Sequence, residues 1–344
     1  MTARLRYVHL QPGTTVAPPT ALRLVQYLHE DGVRRVAIAK DRQTLLPIAV
    51  TDSVYGLAHR AVAEGKTLAA LAEELATDGA DDYQAAIASG RVLVPLDHPV
   101  DPAHCLVSGT GLTHIGIGAA RQERLAQLRG PAPAHEPATS ALQRSALAGG
   151  QPQWFYKGDG DALIATGEDV AHPAFGSDLS DEADIAALFI IDAQGRVWRV
   201  GYALANAFTD HVLDQQNPLL TGHAKLRACA LGPELLTGGL PATVRGMARI
   251  QRAGQTLWKT AFICGQDALT HPIDELIAQH FKYRQFRRPG DVHVHLLGAA
   301  AQSFAAGIRT QADDCFAVES PDFGLALTNR RVNVAHAAIT IYPL

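Results

Sequence analysis

An apolar run that opens on two acids constrains this chain more than any other feature. Asp181-Glu182-Ala183-Asp184-Ile185 passes directly into the hydrophobic stretch Ala186 to Ile191, with no turn residue between them. Side chains two apart on an extended strand point to the same side. A strand here therefore projects the carboxylates of Glu182 and Asp184 together into one pocket. Two like charges that close repel and are costly to desolvate, so a divalent cation between them is the natural compensation. The flanking sequence adds chemistry at intervals. Trp154-Phe155-Tyr156-Lys157-Gly158-Asp159-Gly160 is an aromatic run ending in a lysine and a glycine turn, and Gly201 to Asn206, His223-Ala224-Lys225 and Leu231-Gly232-Pro233 follow the acids.

A chain of 344 residues is long for one domain, and with 47% hydrophobic residues it has ample material for a large core plus a smaller companion. The net charge of -4 lacks the basic excess of a nucleic-acid binder, so no nucleic-acid partner is expected. Small anions remain possible, since a local lysine and arginine cluster does not need a basic protein. Cys105, Cys229, Cys264 and Cys315 are too scattered for zinc or redox spacing and read as buried free thiols. The N-terminus has no signal-peptide pattern, and the apolar run Leu296 to Ile308 is broken by Gln302 and Ser303 and too short to span a bilayer. A soluble, cytoplasmic protein with no membrane partner is the expectation.

In chain order, residues 1–19 are rich in Pro and Thr and read as extended. Leu22, Val25 and Leu28 have helical spacing, Val36-Ala37-Ile38 reads as a strand, and Val54 to Ala76 as two helices broken near Glu64-Gly65-Lys66, with Thr67 capping the second. Val92 to Leu96 reads as a short strand. Cys105 to His114 is a hydrophobic strand that ends in glycine, polar residues and a histidine, which could bring His114 to a pocket rim or merely to a turn. Arg129 to Gln153, rich in Pro, Ala and Gly, reads as a linker or lid. The later half is mostly strand: a hairpin across Arg252-Ala253-Gly254, a helix over Asp274 to Lys282, a turn at Arg288-Pro289-Gly290-Asp291 feeding Val292 to Gly298, and final strands at Phe316 to Val318 and Ala338 to Ile341.

At Trp154 to Gly160, Glu182-x-Asp184, Lys225 to Pro233 and Arg288-Pro289-Gly290-Asp291, the chain resembles the fumarylacetoacetate hydrolase superfamily. Ser108 to His114 and Gln279-His280-Phe281-Lys282-Tyr283 extend the likeness over nearly the whole length. The branch it looks most like contains dehydratases of 2-keto-3-deoxy sugar acids. The resemblance implies an α+β fold: a mixed β-roll catalytic domain over 154–344, behind a smaller N-terminal α/β domain over 1–135 with a linker or lid to about 153. It implies a homodimer, and a Mg2+ or Mn2+ ion held by three carboxylates. Glu182 and Asp184 stand at two of those positions. Where the third acid normally follows the asparagine, Ala207 follows Asn206, and Asp210 is the nearest alternative. The usual Gly-Thr of the last catalytic loop reads Gly298-Ala299.

In the chemistry so implied, a small 2-oxo acid presents its keto oxygen to the cation and an enolate forms as the C3 proton leaves. From a 2-keto-3-deoxy pentonate the enolate expels the C4 hydroxyl on the way to an oxoglutarate semialdehyde. From a 2,4-dioxo acid, attack by water instead cleaves the C3–C4 bond. A third reading is a metal-poor relative that binds the oxo acid without turnover. Lys225 is the candidate donor to the enolate and His114 the candidate acid or base, with Glu136 a conceivable partner. Lys157, Asn206 and Gly298 are the candidate substrate contacts. A surface lysine and a turn histidine are the plain alternatives. His293 and His295 share one strand face and could ligate a metal, but packing is the better reading without a third ligand.

Overall fold

The structure, a computed structural model, describes residues 21–114, 152–335 and 338–344. Its N-terminal part runs β1 (Arg23–Leu28), β2 (Arg34–Ala39), β3 (Thr44–Pro47), α1 (Val54–Glu64), α2 (Leu68–Leu75), β4 (Asp81–Asp82), α3 (Tyr83–Ala88) and β5 (Cys105–Gly111). After the undescribed 115–151 come β6 (Gln153–Gly158), β7 (Leu163–Ile164), β8 (Asp169–Pro173), β9 (Glu182–Ile191) and β10 (Val197–Ala207). Two short helices follow, α4 (His211–Gln216) and α5 (Thr221–Lys225), then β11 (Cys229–Leu231) and β12 (Leu235–Leu236). The chain goes on through β13 (Val244–Arg252), β14 (Gln255–Cys264), α6 (Ile273–Phe281) and β15 (Val292–Leu296). It closes with β16 (Ala301–Gln302), β17 (Cys315–Glu319) and β18 (Leu327–Val334).

Two sheets organise these elements into a mixed α+β fold. The larger runs β4-β3-β2-β1-β12-β10-β9-β15-β5-β6, and the smaller runs β14-β13-β17-β18-β8. The boundary expected near 135–153 falls between β5 and β6, which are paired neighbours in the larger sheet. Local capping explains the helices. The Ser53 hydroxyl accepts the Gly56 N–H and Gly65 turns left-handed at φ 66 to end α1, while Thr67 caps α2. Three expectations from spacing differ. Where the spacing of Leu22, Val25 and Leu28 predicts a helix, Arg23–Leu28 forms β1, because pairing with β2 and β12 outweighs a periodicity too short to separate helix from buried strand. Val92 makes a single bridge to Tyr27, and 338–344 forms no strand. Cys105, Cys229 and Cys264 are buried free thiols, whereas Cys315 is exposed.

Strand β9 is buried along its whole length because it is covered on both sides. Ala183, Ile185, Ala187, Phe189 and Ile191 pack toward the smaller sheet, with Val244, Ile250, Phe316 and Leu327. Ala186, Leu188 and Ile190 pack the other way, with Val54 and Leu57 of α1 and with Ala203, Ala205 and Leu231. Glu182 and Asp184 occupy the first two positions of this second face, so the strand turns from acidic to apolar on one side only. No helix among the described residues is long and apolar enough to cross a membrane.

Candidate active site

Register places the acids. Asp184 pairs with Ala205 and Ala183 with Asn206 on β10, while Ala207 pairs with Cys229 on β11. Directly opposed residues share a face, so Ala207 lies on the same face as Glu182 and Asp184. No carboxylate comes from that position, and Ala207 is packed in the apolar cluster with Cys229 and Leu231.

Helix α5 brings the missing positive charge. Lys225 Nζ lies 2.7 and 2.6 Å from the two oxygens of Glu182 and 3.2 Å from Thr209 Oγ1, with the ring of Phe155 at 4.9 Å. His211 Nε2 and Gln302 Nε2 each reach Glu182 Oε1 at 3.0 Å. Burial alone would raise the Glu182 carboxyl, but the Lys225 ammonium and His211 outweigh it and hold it well below the usual carboxylate range. Asp184 has no cation of its own. Its oxygens accept the Gly298 N–H at 3.1 and 3.2 Å and the Ile185 N–H at 2.6 Å, and burial pushes its carboxyl up to about 7.

These groups meet at a cavity of about 30 Å³ lined by Glu182, Asp184, Lys225, His114, Phe155 and Gln302, among others. His114 Nε2 is 2.6 Å from the Ile263 carbonyl oxygen. A carbonyl only accepts, so Nε2 carries the proton and Nδ1 is left as a lone pair. That Nδ1 is buried and has no hydrogen-bond partner among the described residues. Leu112, also on the wall, is held at φ 61, a left-handed conformation costly for a non-glycine residue.

The structure thus gathers Glu182, Asp184, Lys225 and His114, and it uses the other expected residues elsewhere. Lys157 is buried, its ammonium donates to the carbonyls of Phe208 and Lys225, and burial pushes it down to about 8, so it does not face the cavity as a substrate contact. Asn206 Oδ1 accepts the Glu182 backbone N–H, and the Gly298 amide is spent on Asp184. Gly298 sits at φ 130, where an added Cβ would meet Thr113 Oγ1 at 2.0 Å. Asp210 caps α4 through the Leu213 N–H and pairs with Arg227 at 2.9 Å, away from the acids. Glu136 and most of the expected lid lie outside the described residues. Sequence reading passed over His211 and Gln302. The signal for Gln302 was there, a polar side chain inside an apolar run; nothing local marked His211.

The three-carboxylate metal site does not fit these residues. Every oxygen of Glu182 and Asp184 already has a protein donor, and Ala207 supplies none. Among the described residues no group of three or more His, Cys, Asp or Glu is placed to hold an ion. A divalent cation at Glu182 would have to displace an ammonium bound to both of its oxygens, a poor exchange for an ion that sheds water reluctantly.

No protein-family model and no curated protein matches the chain. Solved structures do. A structure described as 2-keto-3-deoxy-D-arabinonate dehydratase complexed with magnesium and 2,5-dioxopentanoate aligns at TM-score 0.66 and 16% identity, covering 91% of this chain and 100% of that one. The 2-hydroxyhepta-2,4-diene-1,7-dioate isomerase of Mycobacterium marinum aligns at TM-score 0.54 and 16% identity over 91% of this chain and 98% of its own. The 5-carboxymethyl-2-hydroxymuconate delta-isomerase of Mycobacterium smegmatis aligns at 0.53 and 17%, over 91% and 100%. At such identities the likeness is one of fold, and it is the fold that the superfamily resemblance implied.

Proposed function

We propose that this chain is a lyase that enolises a small 2-oxo acid, foremost a 2-keto-3-deoxy pentonate, and expels its C4 hydroxyl as water. The observation that carries this reading is the convergence of one ammonium and one unpartnered imidazole nitrogen at a single cavity. Lys225 can meet a developing enolate oxygen, and His114 Nδ1 can accept a proton. The dehydratase fold neighbour, said to bind 2,5-dioxopentanoate, supports the substrate class.

The steps use this chain's own groups. The substrate's keto oxygen competes with Glu182 for Lys225, and Glu182 holds that ammonium in place. The C3 proton passes to His114 Nδ1 while the C3–H electrons move into the enolate. The enolate then breaks the C4–O bond, and the leaving hydroxide takes the proton back from Nδ1, so water departs and the imidazole returns to neutral. Asp184 holds the Gly298 turn at the cavity's edge.

The test is incubation of the purified protein with a 2-keto-3-deoxy pentonate in deuterated buffer, followed by product analysis with and without chelator. Loss of water, with deuterium at C3 and no need of added metal, is the expected result. No exchange and no product in either condition would overturn the reading. Pyruvate released from a 2,4-dioxo acid would assign the same enolate site to C–C hydrolysis instead.

A further inference from the structure

The cavity at the acids holds little more than water, which is too small for a five-carbon substrate. The rest of any ligand must lie elsewhere. A second, larger cavity of about 430 Å³ adjoins it around the last residue pair of β5 and β6, and Thr110 and Gln153 line both. Its other walls include Trp154, Gln279, Tyr283 and Gln285. None of its described lining side chains carries a charge, and the neighbouring Lys282 ammonium is bound to Gln279 Oε1 at 2.7 Å and lies 5.1 Å from the Tyr283 ring.

The aromatic wall is fixed before any ligand arrives. Trp154 Nε1 donates to His280 Nδ1 at 3.1 Å, and its ring stacks on Phe286 at 5.6 Å between centroids. His280 is itself buried and held by His293 Nδ1 at 3.0 Å, so the indole cannot swing without breaking a buried network. The indole nonetheless stays 39% exposed. A fixed aromatic plate in a cavity lined by three side-chain amides, with no charged side chain in its described lining, suits a neutral chain that is apolar along its C–H face and rich in hydroxyls.

We infer that the groove of Trp154, Gln153, Gln279 and Gln285 is a binding subsite for the uncharged, hydroxylated tail of a sugar acid, so that chain length beyond the acid head is read there. This rests on the proposed reading in one respect, that the acid head sits at Lys225. A neutral tail seated on a fixed plate loses little entropy that the protein has not already spent, so each further hydroxymethine adds affinity until the groove is full.

The test uses aldonates of three to seven carbons, which lack the 2-oxo group and so cannot enter the proposed enolisation, titrated calorimetrically into the whole protein. Affinity is expected to rise at least tenfold from glycerate to gluconate. That rise is expected to flatten in Trp154→Ala and, should that variant fold poorly, in the milder Gln279→Ala. Equal affinity at every length, or no binding of any aldonate, would overturn the subsite, as would a length dependence that survives both substitutions. Turnover of a 2-keto-3-deoxy acid with no length dependence would sink only the groove. Length-dependent binding without turnover would sink only the lyase.

Discussion

Two buried polar clusters lie on opposite faces of the same sheet, and they solve burial in opposite ways. On one face Glu182 keeps its charge because Lys225 answers it at 2.6 Å. On the other, His280, His293 and His295 stand together in ring contact with no carboxylate among the influences on them. Burial pushes His280 down to about 4 and His293 down to about 3, and His295 falls well below its usual value with its two neighbours opposing a charge further. Arg288 adds to the repulsion on His293. A buried group must find a counter-charge or give up its own. Glu182 took the first course, which leaves a buried ion pair at a cavity. The histidines took the second, which makes them packing and hydrogen-bonding residues, and Asp184, pushed up to about 7, leans the same way.

The comparison breaks most severely at Lys225. Lys225→Met leaves Glu182 buried with only His211 and Gln302 to hold it, so a loss of up to about 3–5 kcal/mol of stability is expected together with loss of turnover. Denaturant titration reads the first, and a cost under about 1 kcal/mol would mean that Glu182 is not held as a buried anion. His114→Asn removes the unpartnered nitrogen without touching the ion pair. Its expected cost is a roughly 10²- to 10⁴-fold fall in kcat, with the denaturation midpoint little moved; retained activity would remove His114 from the mechanism.

Acid acts on the opposite face. The unfolded histidines take protons near pH 6.5, whereas in the fold His280 waits until about 4 and His293 until about 3. The contribution of these two histidines is therefore full above about pH 6.5 and falls as the pH drops from there toward 3, by about 1 kcal/mol per pH unit for each histidine. Tm measured across that window in the wild type and in His293→Gln should show a shallower slope for the variant; equal slopes would place the titration elsewhere.

The smallest effect sharpens the metal question. Ala207 shares the face of the acids, so Ala207→Glu should bind magnesium more tightly than the wild type, at some cost to the apolar cluster it enters. Calorimetric titration with Mg2+ decides it. Binding by the wild type would show that a cation can displace Lys225, and the absence of binding in the variant would mean that the new carboxylate is held away from Glu182.

Much of the fold was legible because its signals were local. Gly65 and Thr67 marked the break between α1 and α2, Arg252-Ala253-Gly254 the β13–β14 hairpin, and Pro289-Gly290 the turn before β15. β1 was not legible, since Leu22, Val25 and Leu28 fit either period and only neighbouring strands decided between them. At the site, alternation alone places Glu182 and Asp184 on one side of a buried strand. Lys157 shows where such reading ends, because a lysine beside aromatics has the same local pattern whether it meets a substrate or, as here, two backbone carbonyls.

What the sequence determined by itself was the pair of acids and their common face, because a strand's period fixes direction from one residue to the next. The want of a third acid at Ala207 followed only from the family resemblance. Only the tertiary structure decided that Lys225, His211 and Gln302 would share Glu182, and that Trp154 would be fastened to a buried histidine beside a neutral groove. Those partners come from segments far apart in the chain. Burial forces each charge to find a partner, but distance along the sequence does not say which.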